Sequence, residues 1–208
     1  MTAPAEIRIG GLPLLDYALA KPRDAVKLVK EHKRRYLDPT VPAWAYYRHL
    51  YIAMRGAANA PNPRDTIDGV VAWAATKGDW RQAAYRQAGE GYLRLLAASR
   101  GTGVKVNTMQ WHDGPLTITL NNLIGLRSRG DKLLIVTPYC KAPELDQQSA
   151  DLLLQIVQEA CGGLGTPVLW DTRRGREFKL NARTNRRDLS TAVHGLVAKY
   201  LMEWNLAA

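Results

Sequence analysis

Apolar positions recur at helical spacing through the first half of the chain and switch to strand-like runs after residue 100. Four helices are predicted between residues 21 and 99. In the first, over 23–36, Ala25, Leu28, Val29, His32 and Tyr36 share one stripe, opposed by Lys27, Lys30, Glu31 and Arg34. Thr40-Val41-Pro42 opens the second, with the threonine as N-cap and the proline in the first turn, and Trp44, Tyr47, Tyr51 and Met54 follow at helical spacing. The loop 59–63 leads to a third helix over 64–76 carrying Ile67, Val70, Val71 and Ala74. Asp79 caps a fourth that runs to residue 99, with Ala84, Tyr85, Ala88, Tyr92, Leu95 and Leu96 on one face. Gly89 and Gly91 lie inside this helix, each costing about 1 kcal/mol relative to alanine, which points to a kink or close packing.

Beyond Gly101-Thr102-Gly103, the segments 104–111, 116–120 and 132–139 are rich in β-branched and aromatic residues and are separated by turn signals at 112–115 and 127–131. A helix over 145–161 follows, stopped by Gly162-Gly163. A short apolar strand at 167–171 then turns at Arg174-Gly175 into a partner at 177–180, and a closing helix over 188–204 buries Leu189, Val193, Leu196, Val197, Tyr200 and Trp204. The predicted class is α+β: an N-terminal helical bundle packed on a C-terminal mixed sheet of order β-β-β-α-β-β-α. The division falls between a helical region, 1–100, and an α/β region, 101–208, which could also form one continuous domain.

Composition narrows the partners. No apolar run reaches the roughly 20 residues of a membrane helix, and the first residues carry neither a basic nor an apolar signal region, so no membrane contact or secretion is expected. Cys140 and Cys161, each beside an apolar run, are too few for a disulfide scaffold and are expected to be reduced in a cytoplasm. The net charge of +10 is unevenly placed: residues 21–55 carry +6 and 171–208 carry +4, while 101–170 is nearly neutral. If the two basic blocks meet in space, they form a cationic face suited to an anionic polymer.

The densest chemistry follows the 167–171 strand. Arg173, Arg174, Arg176, Arg183, Arg186 and Arg187, with Lys179, crowd one stretch, and clustered guanidinium groups repel unless an anion such as phosphate faces them. The bland alternative is a solvated turn paired with nearby acids. Lys30, Lys33, Arg34 and Arg35 make a second basic run, which also fits the exposed face of an amphipathic helix. Trp44, Tyr46, Tyr47, Tyr51 and Trp80 could stack on bases, although spacing favours core packing for Trp44, Tyr47 and Tyr51. The four histidines show no metal-ligand spacing, and His112-Asp113 reads as part of a turn. Asp171 followed by Glu177-x-Lys179 gives the carboxylate pair and lysine that a metal-dependent nuclease uses, and a surface ion pair explains the last two equally well.

A β-β-β-α-β order with a following helix resembles the core of the restriction-endonuclease-like, PD-(D/E)XK superfamily over roughly residues 104–204. In that family an acid ends one strand and an acid-x-Lys triplet lies on the next, holding a divalent metal and positioning water. Aligned here, the first acid falls at Asn121 or Asn122 and the triplet at Tyr139-Cys140-Lys141, so the resemblance implies a relative with a degenerate site that binds or scaffolds. It also suggests a host-defence or mobile-element setting. The leading expectation is a nucleic-acid-associated protein, on DNA or RNA, that contacts backbone phosphate through the arginine-rich turn and needs no cofactor. One alternative is an active nuclease requiring Mg²⁺ and using Asp171, Glu177 and Lys179. Another is an adaptor whose basic turn docks on an acidic protein.

Overall fold

The computed structural model describes residues 6–38, 46–128, 130–181 and 186–207. An N-terminal strand β1 (Ile7–Gly10) runs directly into α1 (Gly11–Leu19), two elements too short and too uniformly apolar for periodicity to reveal. Leu12, Leu14, Leu15 and Tyr17 of α1 are buried. Four helices follow in the expected order, α2 (Pro22–Leu37), α3 (Arg48–Ala57), α4 (Pro63–Ala75) and α5 (Asp79–Ser99), but α3 starts at Arg48 after a turn at 46–47 and not at the expected 40–42. The N-cap proposed at Thr40, and Trp44 with it, lie outside the described residues.

Side-chain caps start two of the helices, α4 and the later helix over Gln147–Cys161. The Asn62 carboxamide oxygen accepts from the Arg64 amide at 3.2 Å to start α4. At α5 the cap is Gly78 rather than Asp79: φ is +121° there, and Asp79 is the first helical residue, where its charge favours the helix dipole.

The strand region differs from the single sheet expected. The predicted segment 104–111 is divided between β2 (Thr102–Val104) and β3 (Met109–Asp113), and a further strand, β5 (Ile124–Arg127), lies between β4 (Leu116–Leu120) and β6 (Leu133–Tyr139). Between α5 and the long helix α6 (Gln147–Cys161) there are therefore five strands in place of three, and β7 (Thr166–Asp171), β8 (Arg176–Lys179) and α7 (Arg186–Leu206) follow. Strands divide into a three-stranded sheet, β1-β4-β3, and a five-stranded sheet, β2-β5-β6-β7-β8. The β3–β4 hairpin turns at Gly114 (φ +54°) and joins β1, which pairs parallel to β4.

In the larger sheet β6 and β7 are parallel, with Tyr139 opposite Asp171, and α6 is the crossover between them. Asp146 caps α6 by accepting from the Ser149 amide at 2.7 Å, and Gly162 ends it in the left-handed conformation at φ +53°. The helix α6 packs on β3 of one sheet and on β7 and β8 of the other, and α5 also packs on β7 and β8. Buried side chains from both halves join one cluster, in which Tyr85, Tyr92, Tyr139, Trp170 and Tyr200 are the largest fully enclosed residues. Both cysteines are free and buried. Among the described residues no helix is long and apolar enough to cross a membrane.

The closing helix is tied to the smaller sheet by His194, whose Nδ1 lies 2.8 Å from the Asp113 carboxylate. That hydrogen bond and the carboxylate's charge raise the His194 pKa above its ordinary value of 6.5. The raised folded-state pKa means that the pair's stabilisation is complete below the unfolded pKa and is lost as pH rises through the folded one. Thermal melts of the wild type and Asp113→Asn should therefore differ below pH 6.5 and converge at alkaline pH. A difference that grows with pH would contradict this pairing. Because His194 is about half exposed, the effect should stay under about 1 kcal/mol.

Candidate functional site

The parallel strands β6 and β7 end side by side, and the residues just beyond them carry the cations of interest. The Thr172 amide donates to the Tyr139 carbonyl at 2.9 Å, and the Thr172 hydroxyl contacts that carbonyl and, at 3.3 Å, the Cys140 sulfur. Lys141 and Arg173 follow these tied positions, at the carboxyl ends of the parallel pair, where open α/β sheets place their ligands.

Each arginine of the turn has a distinct environment. Arg173 directs Nε and Nη2 to the Gln87 carboxamide oxygen at 2.9 and 2.7 Å, so a neutral partner orients it and its charge stays available. Arg174 is a strut: it donates to the fully buried Asp171 carboxylate at 3.0 Å and to the carbonyls of Ala142 and Pro143. Arg176 pairs with Glu144. Arg187 is exposed in the first turn of α7, whereas Arg183 and the side chain of Arg186 lie outside the described residues.

The second basic block rests on other elements. The helix α2 packs on α1, β1 and α7, while β8 packs on β7, α5 and α6. Lys33 donates to the Trp204 and Ala207 carbonyls at 3.2 and 2.5 Å, satisfying the C-terminal end of α7. Lys30 and Arg34 are exposed.

Asp171, Glu177 and Lys179 do not converge. Antiparallel register sets Asp171 opposite Arg176 and Trp170 opposite Glu177, so Asp171 projects from the face opposite to Glu177 and Lys179. Asp171 holds the turn, Glu177 accepts from the Trp170 indole at 3.0 Å, and Lys179 pairs with Glu177 at 2.5 Å.

A cleft of about 450 Å³ opens beside the end of β6, between α1, α2, α3 and the β4–β5 connection. Its lining includes Asn121, Asn122 and Lys141, three of the positions at which the nuclease resemblance expects its site. Lys141 is ion-paired with Asp16 of α1. Burial raises the Asp16 pKa and the Lys141 charge opposes that rise. His32, also in the lining, is pushed down to about 4, first by burial and then by Lys141 and Arg35, and its Nδ1 lies 3.1 Å from the Tyr200 hydroxyl, so it is neutral at physiological pH. Arg8 and Arg35 at the rim pair with Glu6 and Glu31.

The donor set decides what this cleft can do. Tyr139 is fully buried, and burial raises the Cys140 thiol to about 12, so neither supplies negative charge. The one carboxylate in the lining already serves Lys141, and Asn121 and Asn122 are neutral, a set too weak in charge to hold Mg²⁺ tightly. No group of three His, Cys, Asp or Glu among the described residues could hold a metal ion.

The sequence reading missed Asp16, Gln87 and Glu144, which orient Lys141, Arg173 and Arg176 respectively. A lone acid in an apolar helix, Leu12-Pro-Leu-Leu-Asp16, was the available signal for Asp16; nothing local distinguishes Gln87 or Glu144. Comparison with known protein families, curated proteins and solved structures finds no match to this chain.

Proposed function

We propose that the protein binds the phosphate backbone of nucleic acid on a nuclease-like scaffold that lacks the charge for metal-dependent cleavage. The observation that carries this reading is the placement of Arg173 beyond the carboxyl end of β7, with Lys141, paired to Asp16, at the end of the neighbouring β6 in a cleft with neutral amides where the resemblance expects acids. The α6 crossover between the parallel strands β6 and β7 is the feature of the larger sheet that fits a nuclease-like part, while β4, which precedes Asn121 and Asn122, belongs to the smaller sheet. A net charge of +10 adds long-range attraction for an anionic polymer. Arg173 is the turn arginine best suited to the role, since its partner is a neutral carboxamide, while Arg174 and Arg176 are matched by carboxylates.

A salt titration with DNA, RNA and polyglutamate tests this. Binding to nucleic acid should weaken linearly in log affinity against log salt, and Arg173→Ala should reduce the slope by about one. Nucleic acid bound no better than polyglutamate at low salt would remove the proposal.

A further inference from the structure

An aromatic and cationic patch sits at the start of α5, outside the cleft. Trp80, in the first turn, is 66 % exposed, a large fraction for a tryptophan. It stacks on Tyr46, with ring centres 5.0 Å apart and planes 17° from parallel. Arg81 sets its guanidinium 4.7 Å from the Tyr46 ring centre and 5.6 Å from that of Trp80. Its Nε is buried and has no hydrogen-bond partner among the described residues. Tyr47 and Tyr85 back the group, edge-on to Tyr46 at 4.6 and 6.0 Å. The result is a rigid aromatic surface that leaves much of one indole to solvent.

Arg173 belongs to the same region. Its anchor, Gln87, lies seven residues after Trp80 on α5, two helical turns and about 10 Å along the same face. Burial raises the Tyr47 hydroxyl to about 12, and the largest opposing influence is the Arg173 charge. A cation held for phosphate thus stands beside an open aromatic face, within the reach of one extended nucleotide strand.

We propose that Trp80, Tyr46, Arg81 and Arg173 form a subsite for single-stranded nucleic acid, in which an unpaired base stacks on Trp80 and a neighbouring phosphate lies at Arg173. This rests on the backbone-binding reading and adds the strand state. A duplex hides the faces of its bases inside the helical stack; a single strand offers them, and every base has a π-face, so the subsite is indifferent to sequence. Arg81 adds a cation over the same aromatic group. An acidic peptide would find the cations but gain little from the open indole.

The test uses the full chain and end-labelled single-stranded and duplex DNA of equal length, followed by fluorescence anisotropy. The wild type should prefer the single strand. Trp80→Ala should weaken single-strand binding about tenfold and leave duplex binding unchanged, and Trp80→Phe should restore most of the loss. Trp80 is exposed, so both variants should keep the wild-type circular dichroism spectrum. Unchanged single-strand affinity in Trp80→Ala, equal losses on both substrates, or an acidic polypeptide bound as tightly as the single strand would each overturn the subsite. The first two outcomes leave backbone binding intact, whereas a wild type that binds no nucleic acid overturns both proposals.

Discussion

Gly91→Ala is expected to destabilise the protein by about 3 kcal/mol or more, because a methyl group at this position has nowhere to go. A β-carbon built there would lie 1.7 Å from the Thr172 carbonyl oxygen, 2.9 Å from its carbon and 3.2 Å from the Gly175 amide nitrogen. All three are backbone atoms of the β7–β8 turn, so no side-chain rotation relieves the overlap, and α5 and the turn must separate. That separation also pulls Arg173 off Gln87. Urea denaturation measures the loss, and Gly69→Ala is the control: nothing lies within 4 Å of its β-carbon site, and α4 should gain up to about 1 kcal/mol from the better helix former. A Gly91→Ala variant as stable as the wild type would mean that the turn does not sit on α5.

Asp171→Ala is expected to cost about 3 kcal/mol, the typical penalty for removing one member of a buried ion pair. The Asp171 side chain is fully enclosed and that of Arg174 is 26 % exposed, so the carboxylate is tolerated in the interior only because the guanidinium and a backbone amide hydrogen-bond to it. Removing it leaves Arg174 with the Ala142 and Pro143 carbonyls and a distant Glu144 carboxylate at 4.0 Å. Asp171→Asn keeps an acceptor for the Arg174 amide while losing the charge, and its cost should fall between wild type and alanine. Denaturation midpoints for the three proteins check that order. An alanine variant of undiminished stability would show that the carboxylate's contribution lies elsewhere than in shaping the turn.

Both substitutions converge on the β7–β8 turn, which explains why it needs so many fixed contacts. Gly91 gives it room against α5, Asp171 closes it from within, and Gly175 takes it through φ +64°. With the backbone held this firmly, Arg173 needs only Gln87 to be oriented. Positioning of that kind lowers the entropy cost of binding phosphate.

Much of the helical architecture could be read locally. The stripes of α2, α4, α5 and α7 matched their buried faces in large part: Ala25, Val29 and His32 are enclosed in α2, and Val193, Val197, Tyr200 and Trp204 in α7. Tyr36 departs from its stripe at 41 % exposure, since it reaches over β1, where its hydroxyl accepts from the Gly10 amide at 3.3 Å. The close packing suspected at Gly89 and Gly91 is present, against Ile67 and Thr172. Strand membership was less legible. The run 104–111 has one composition but serves two sheets, because β2 pairs with β5 and β3 pairs with β4. The strand β5, four residues long with a glycine inside, gives too short a pattern to recognise.

The chain by itself determined where the longer helices form, which faces they bury and which turns carry arginine, because helical periodicity, caps and charge are properties of neighbours in sequence. Tertiary structure alone decided that β1 pairs with β4 more than a hundred residues later, that Asp171 and Glu177 face apart, and that Arg173 is held by Gln87 while Arg174 and Arg176 are neutralised. The physical reason is one of range. A hydrogen-bonded turn is set by residues within four positions, whereas the charge that a guanidinium presents to solvent depends on whichever side chain the folded chain brings against it.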